Sequence, residues 1–153
     1  MGLDGRGLSA GVGRCVASGQ IIGDWVAARL GTVYDPHGPD AIGLRQGETV
    51  LAGVIYENWN GASIMAHIAV AGPLTRRFLF AVFHYPFEVC GVRKIICPVP
   101  ASNSRSRRLA EHMGFSVEAT LADAHPDGDL LLYTLTKSAC RFLGWASAPQ
   151  SGT

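Results

Sequence analysis

The sequence predicts an α/β domain with a mixed, mostly antiparallel sheet, helices on both faces and a central parallel strand pair. Three observations lead to it. A run of strand-like segments is separated by turn residues, the apolar spacing changes to that of a helix after Gly72-Pro73, and a short apolar strand follows that helix. Because a crossover helix links two strands in the same direction, the strands on either side of it should be parallel neighbours.

The first elements are a helix and an antiparallel meander. An amphipathic helix is expected over Ile21–Leu30, with Gly31 as its stop. Its inner side should carry Ile21, Trp25, Ala28 and Leu30. Three strands should follow, separated by the turn residues 46–47 and 58–61; they are Ala41–Arg45, Thr49–Glu57 and Ser63–Ala71.

The later elements alternate between helix and strand. A helix over Thr75–Tyr85 should bend or end at Pro86, and a second helix over Ser102–Met113 should place Leu109 and Met113 inward and its three arginines outward. The expected strands are Lys94–Val99, Phe115–Leu121 and Leu130–Thr136, with a turn at 125–129 between the last two. A short helix, Lys137–Trp145, should close the fold.

Length and composition limit the possibilities. The 153 residues are 48% apolar and 16% charged, with a net charge of +1, which excludes a disordered chain and argues against coating of nucleic acid through bulk charge. We expect one domain over residues 14–146, with flexible ends at 1–13 and 147–153. No apolar run approaches eighteen residues and no signal-peptide core is visible, so we expect no membrane span and a cytoplasmic location.

The four cysteines indicate free thiols. Cys15, Cys90, Cys97 and Cys140 are scattered, form no CxxC pair and have no histidine cluster beside them. We therefore expect buried or half-buried thiols in a reducing compartment and no metal. A catalytic cysteine would need a neighbouring base, which spacing cannot show.

The residues from Lys94 onward follow a distinctive order. A strand is followed by Asn103, Ser106 and Leu109, then by Gly114-Phe115, Glu118 and a closing strand with Tyr133. This order, over the last two-fifths of the domain, resembles the GNAT superfamily of acyl-CoA-dependent N-acetyltransferases. The similarity is greatest to the branch that acetylates protein N-termini and to small members often encoded by bacteriophages, for which the location would be the host cytoplasm. The resemblance implies an acyltransferase that uses acetyl-CoA as donor, a primary amine as acceptor and no metal.

The resemblance also implies where the coenzyme binds. In the family an Asn contacts the pantetheine arm and the following helix lines the cofactor, which selects Asn103, Ser106 and Arg107. The arm should enter where two parallel strands part, next to Ala69, Val70 and Ala71. The family's phosphate loop has the pattern Gln/Arg-x-x-Gly-x-Gly/Ala. Residues 71–77 here read AGPLTRR without that glycine pattern, so Arg76 and Arg77 are expected to supply the phosphate charge. Because the glycine loop is missing, two alternatives stay open: a degenerate member that binds another donor, and one that binds no donor.

Acetyl transfer to an amine needs a base, and many family members use a Tyr as the acid at the position of Ala110 here. The candidates are His67, Tyr56 and Glu57, on two central strands. Each has a plainer interpretation: a histidine hydrogen-bonded beneath a helix for His67, a solvated turn acid for Glu57 and a half-buried core residue for Tyr56.

Three functions follow from these features. The first is an acetyltransferase for small-molecule, protein or modified-nucleobase amines. The second is a Mom-like, DNA-modifying GNAT relative that acts on phage DNA bases, with the helix of Arg105 and Arg108 on the nucleic-acid backbone. The plain alternative for that helix is an exposed surface with Glu111 balancing part of the charge. The third is a catalytically degenerate binding module. Trp145 indicates a possible homodimer contact.

Overall fold

A computed structural model of the chain describes residues 13–144. It contains seven β-strands, three α-helices and one π-helical turn within that range. In chain order they are β1 (Arg14–Ser18), α1 (Gln20–Leu30), β2 (Ala41–Gln46), β3 (Thr49–Glu57), β4 (Ser63–Val70), α2 (Arg76–His84), the π turn (Tyr85–Val89), β5 (Lys94–Pro100), α3 (Ser104–His112), β6 (Ser116–His125) and β7 (Gly128–Thr136).

The strands form one mixed sheet in the order β1-β2-β3-β4-β5-β7-β6. The pairs β1–β2, β2–β3, β5–β7 and β6–β7 are antiparallel, whereas β4 and β5 are parallel with Ser63 opposite Lys94. This architecture confirms the predicted fold class, including the central parallel pair. Among the described helices none is long and apolar enough to cross a membrane.

Two parts of the sequence-based prediction were wrong. Strand β1, which pairs with β2, was not expected, because its five residues are mostly exposed and lack an apolar pattern. The expected helix Lys137–Trp145 is absent over 137–144, which form turns ending in a short 3₁₀ segment; Trp145 lies outside the described residues. The expected flexible ends, residues 1–13 and 147–153, also lie outside them except for Gly13.

The predicted inner face of α1 was wrong in part: Trp25 is half-buried and packs against the core as expected, but Ala28 is exposed. Ile21 is 70% exposed and Leu30 is 43% exposed, while Ile22 and Val26 are buried. Glycines on the sheet explain the difference: a Cβ at Gly43 would lie 2.5 Å from Ile22 Cδ1, and one at Gly53 would lie 2.5 Å from Val26 Cγ2. The missing side chains let the helix approach the strands closely through its 22/26 stripe.

The helix after β4 continues past its proline. α2 ends at His84, and Pro86 lies at the start of the π turn, where Cys90 N–H donates to Tyr85 O at 2.9 Å. In an α-helix, Pro86 would leave the carbonyl of Val82 without an N–H partner. Here that carbonyl accepts a hydrogen bond from the Tyr56 hydroxyl at 2.6 Å.

Contacts divide the chain into two compact units. One comprises the chain up to Ile55 together with Ile68–Ala81, and the other comprises Tyr56–His67 and the chain from Val82 onward. The first has a core of Ile22, Val26, Ala41, Ile55 and Ala69. In the second, the Phe83 ring stacks on Phe142 with centroids 4.9 Å apart and packs against Phe115 at 6.2 Å.

Candidate functional site

The parallel strands β4 and β5 pair over only three positions. Their register runs from Ser63↔Lys94 to Met65↔Ile96 and ends there, although both strands continue. Beyond that point, Ala66 and His67 of β4 and the residues from Cys97 onward in β5 lie where the two strands part. The predicted gap between two parallel strands therefore has a defined starting point.

Two prolines explain why the pairing stops. Ala101 N–H donates to Asp129 O at 2.9 Å, on the β7 side. Because backbone groups alternate sides along a strand, Pro98 and Pro100 occupy the positions that face β4. Neither residue has an N–H to donate, although both keep a carbonyl. The β5 edge at the gap can accept hydrogen bonds but not give them, which suits a ligand with amide N–H groups.

A carboxylate–imidazole pair lies at this point. His67 Nε2 is in close hydrogen-bond contact with Glu57 Oε2. The His67 side chain is 23% exposed and that of Glu57 is 51% exposed, so a solute can reach both. When the carboxylate accepts the Nε2 proton, Nδ1 is left as the basic nitrogen. The pair can hold and release a proton.

The turn after β3 fixes the Glu57 end of this pair. Asn58 has φ 58°, and Asn60 Oδ1 accepts hydrogen bonds from the backbone N–H groups of Ala62 and Ser63 at 2.9 and 2.8 Å. Asparagine tolerates the left-handed region and closes such turns with its own side chain. Trp59 is 55% exposed, and its indole N–H donates to Cys90 O at 2.9 Å. The turn is thus tied to the segment before β5.

Tyr56 points into the core. It is 3% exposed, and its hydroxyl donates to Val82 O at 2.6 Å. Its ring packs against Tyr85 with centroids 5.2 Å apart. A hydroxyl bound to a helix carbonyl anchors the ring in the core. The structure therefore brings His67 and Glu57 together, whereas Tyr56 does not join them.

The residues predicted to bind the coenzyme over 69–77 belong to the first unit. Ala71, just after β4, has its N–H bonded to Leu51 O at 2.7 Å. Thr75 caps α2, because its Oγ1 accepts from Phe78 N–H at 3.2 Å. Arg76 and Arg77 are exposed in the first turn of that nine-residue helix, where backbone N–H groups carry partial positive charge. Ala69 is buried and Val70 is half-buried.

Asn103 caps α3 in the second unit. Its Oδ1 accepts from Ser106 N–H at 3.1 Å, and its backbone carbonyl accepts from Arg107 N–H at 3.0 Å. The side chain is exposed, and its Nδ2 has no partner among the described residues. Asn103 is therefore an N-cap that keeps one amide donor available, while Ser106 takes part through its backbone.

Arg107 faces inward, contrary to the prediction of three outward arginines. Its Nε donates to Tyr133 Oη at 3.3 Å and its Nη1 donates to Ala101 O at 3.2 Å. Tyr133 is fully buried and donates to Glu111 Oε2 at 2.6 Å, so Glu111 interacts with Tyr133. Burial, followed by the hydrogen bond to Glu111, raises the pKa of Tyr133. The network fixes α3 on β7, whereas Arg105 and Arg108 remain exposed.

The remaining reactive groups are inert or dispersed. Burial raises the pKa of Cys97 to about 12, so this thiol stays protonated near neutral pH and is a poor nucleophile. The four cysteines are free, but the expectation that all are buried or half-buried was wrong for Cys15, which is exposed. Within residues 13–144, no three His, Cys, Asp or Glu side chains are grouped as a metal would require.

Comparisons with solved structures decide the fold. A variant of the spermidine N-acetyltransferase SpeG from Vibrio cholerae superposes with a TM-score of 0.58, 17% identity and coverage of 72% of this chain and 70% of that one. A GNAT-family acetyltransferase from Bacillus anthracis superposes with a TM-score of 0.53 and 16% identity, covering 64% of this chain and 66% of that one. The ribosomal-protein-S5-alanine acetyltransferase from Vibrio fischeri superposes with a TM-score of 0.55 and 14% identity, covering 63% of this chain and 61% of that one. The chain has the GNAT fold. No protein-family model and no curated protein matches the sequence.

The chain departs from the sequence pattern of the GNAT superfamily at two places. Ala110, which stands where the resemblance places a tyrosine acid, is 5% exposed, and its methyl group has no proton to give. The segment before α2 uses a threonine cap and two arginines in place of the glycine pattern. Both departures were visible in the sequence.

Three features of the site were missed by sequence reasoning. The role of Pro98 and Pro100 depends on which side of β5 faces β4, and that side is set by the β7 register. The bond from Trp59 to Cys90 joins residues 31 positions apart. The Tyr133–Glu111–Arg107 network likewise needs the three-dimensional fold. The two prolines in a buried strand were the one available signal, since proline is rare there.

Proposed function

We propose that this protein is an N-acetyltransferase that transfers an acetyl group from acetyl-CoA to a primary amine. The observation that carries the proposal is the parting of β4 and β5 beside the His67–Glu57 pair. The pantetheine arm carries amide N–H groups, and the β5 edge at the gap offers carbonyl oxygens at Pro98 and Pro100 without competing donors. The arm would complete the pairing that the prolines interrupt.

The chemistry requires one proton acceptor. The amine nitrogen attacks the thioester carbonyl, a C–N bond forms and the C–S bond breaks. His67 Nδ1 takes the proton that the nitrogen releases, and Glu57 stabilises the resulting imidazolium through the Nε2–H bond. The sulfur leaves as thiolate and takes a proton from water, because Ala110 offers none.

The coenzyme's phosphates would be held by charge and by a helix end. Arg77 provides a positive guanidinium, and the first turn of α2 adds the positive end of the helix dipole. Asn103 Nδ2 offers an amide donor to the pantetheine arm.

A thiol-release assay and a thermal-shift measurement together test the proposal. Purified protein, acetyl-CoA and a panel of primary amines should release free coenzyme A thiol, measured with a chromogenic disulfide, and thermal unfolding should shift upward with acetyl-CoA. Absence of both effects at millimolar acetyl-CoA would leave the fold without this function. Such a result would favour the degenerate binding module.

One observation favours DNA-base modification as a second candidate. Arg105 and Arg108 are exposed three residues apart on α3, and Glu111 is bound to Tyr133. A free basic face of this kind suits a phosphate backbone. A duplex-DNA shift that weakens steeply with salt and is lost in R105A/R108A would support it; binding that is unchanged in the double variant would remove it.

A further inference from the structure

Strands β5 and β7 bury one face and leave the other partly open. The register sets Cys97 opposite Tyr133 and Val99 opposite Leu131, and all four side chains are buried. The residues between them point to the other face and remain half-buried. In β5 and β7 these are Ile96, Pro98, Pro100, Leu130 and Leu132.

This second face, with Met65 of β4 added, is here named the open apolar face. It is continuous with the His67–Glu57 pair. Met65 lies opposite Ile96, and His67 is two residues further along β4, so it points to the same side at the level of Pro98. On the far side, Leu121 of β6 lies opposite Leu130 and is 43% exposed. The apolar surface therefore begins at His67 and extends across β5 and β7.

The dimensions of the face limit what can lie on it. Neighbouring strands are about 4.8 Å apart, so the distance from β5 across β7 to β6 is about 10 Å, and the step from Pro98 to Pro100 is about 7 Å. That area accommodates one aromatic ring or one branched alkyl group. The prolines are rigid, so the floor needs little reordering when a ligand binds.

Within the described part of the chain, the charged groups next to this face lie at its edges. At one edge, Lys94 Nζ contacts Glu118 Oε1 at 2.8 Å and neutralises it; the same oxygen accepts from Thr134. At the His67 edge, the Glu57 carboxylate is half-exposed and attracts a cationic amine. An acidic end beside an apolar floor is complementary to an amphipathic amine.

We infer that the acceptor is a small primary amine with an aromatic or branched apolar substituent, which lies on the open apolar face while its nitrogen is at His67. The inference rests on the function proposed above and names its substrate class. A short polyamine would leave the apolar floor uncovered and is the contrasting case.

The test compares 2-phenylethylamine with 1,4-diaminobutane as acceptors. Wild-type protein should show a kcat/KM at least tenfold higher for 2-phenylethylamine. Leu132→Ser should raise its KM about tenfold with kcat nearly unchanged and should leave the kinetics with propylamine unaltered, because the lost contact is to the ring. Val117→Ser is the control for the same loss of apolar surface: Val117 is 43% exposed, lies on the neighbouring strand opposite Tyr133 and is off the open apolar face.

Calorimetric binding of 2-phenylethylamine without acetyl-CoA separates the two proposals. Binding that is weakened by Leu132→Ser, with no acetyl transfer to any amine, would support the open apolar face and overturn the acetyltransferase. Transfer that favours 1,4-diaminobutane, or that falls equally for all amines in Leu132→Ser, would overturn the inference and leave the acetyltransferase. No amine binding, together with a wild-type dimer that Leu132→Ser dissociates, would also overturn it, since the face would then be a self-interface.

Discussion

Glu57 at the end of β3 and His67 in β4 share a hydrogen bond at the position where β4 separates from β5. The pair joins two residues that the sequence separates by ten positions. Both side chains are within reach of solvent. The bond gives the His67 imidazole a fixed orientation at the gap between the two strands.

His67→Gln should lower kcat for acetyl transfer about 10²- to 10⁴-fold, the range for loss of a general base. Glutamine can still bond to Glu57 but cannot accept the proton, so KM for acetyl-CoA should change little. Steady-state kinetics check this, with His112→Gln at the exposed end of α3 as the matched control. An unaltered kcat in His67→Gln would end its role as the base.

Glu57→Gln should lower kcat about 10²- to 10⁴-fold, because the carboxylate that fixes the tautomer and orientation of the His67 imidazole is lost. Since Glu57 acts through His67, the double variant should be no slower than His67→Gln alone. A double-mutant cycle on kcat checks this coupling. Additive losses would show that the two side chains act independently.

Asn103→Asp should weaken acetyl-CoA binding about tenfold while thermal stability is retained. The new carboxylate keeps the cap on Ser106 N–H, whereas the Nδ2 donor is lost. Titration calorimetry in 0.5 M salt screens the added charge. Asn103→Ala, which also loses the cap, should unfold more easily by about 1 kcal/mol. Wild-type affinity in Asn103→Asp would exclude the donor from the site.

Tyr133→Phe should lower the free energy of unfolding by about 1–3 kcal/mol, because Glu111 and Arg107 lose a buried partner. Urea denaturation measures the change. Tyr34→Phe removes the same atom from a half-buried ring whose hydroxyl has no hydrogen-bond partner within residues 13–144, so it should cost less stability. Equal losses in the two variants would contradict the network.

Cys97 should make stability fall at alkaline pH. Its pKa is about 12 in the folded chain against 9.0 for a free thiol, so the folded state holds the proton more tightly. This contribution is complete below pH 9 and is lost as the pH rises toward 12, by up to about 1.4 kcal/mol per pH unit. The stability advantage of wild type over Cys97→Ala should therefore shrink between pH 8 and pH 10.5. A pH-independent difference in urea denaturation would contradict it.

The sequence was sufficient for the order of most elements. Thr49–Glu57 was predicted with its true bounds, because turn residues flank it on both sides. Strand β1 was missed since its stability comes from pairing with β2, which is a tertiary property. The inner face of α1 was shifted by one residue because glycines on the partner strands, which the helix pattern does not contain, decide which side approaches.

The site was predictable in part. His67 and Glu57 were identified as separate candidates, but their contact depends on β3 and β4 being neighbours in the sheet. Tyr56 and Arg107 were also predicted as site residues, but both are bound to interior groups. The Tyr56 hydroxyl donates to Val82 O, and Arg107 Nε donates to Tyr133 Oη. Residue type and spacing indicate which side chains can react; packing decides which of them remain available.

The most direct test of the central claim is a titration of isotope-labelled protein with acetyl-CoA, followed by backbone amide resonances. The account predicts saturable shifts concentrated at Ala66, His67, Cys97 and Val99, around the point where β4 and β5 part. Resonances there that stay unmoved at millimolar acetyl-CoA, or saturable shifts confined to other parts of the chain, would contradict it.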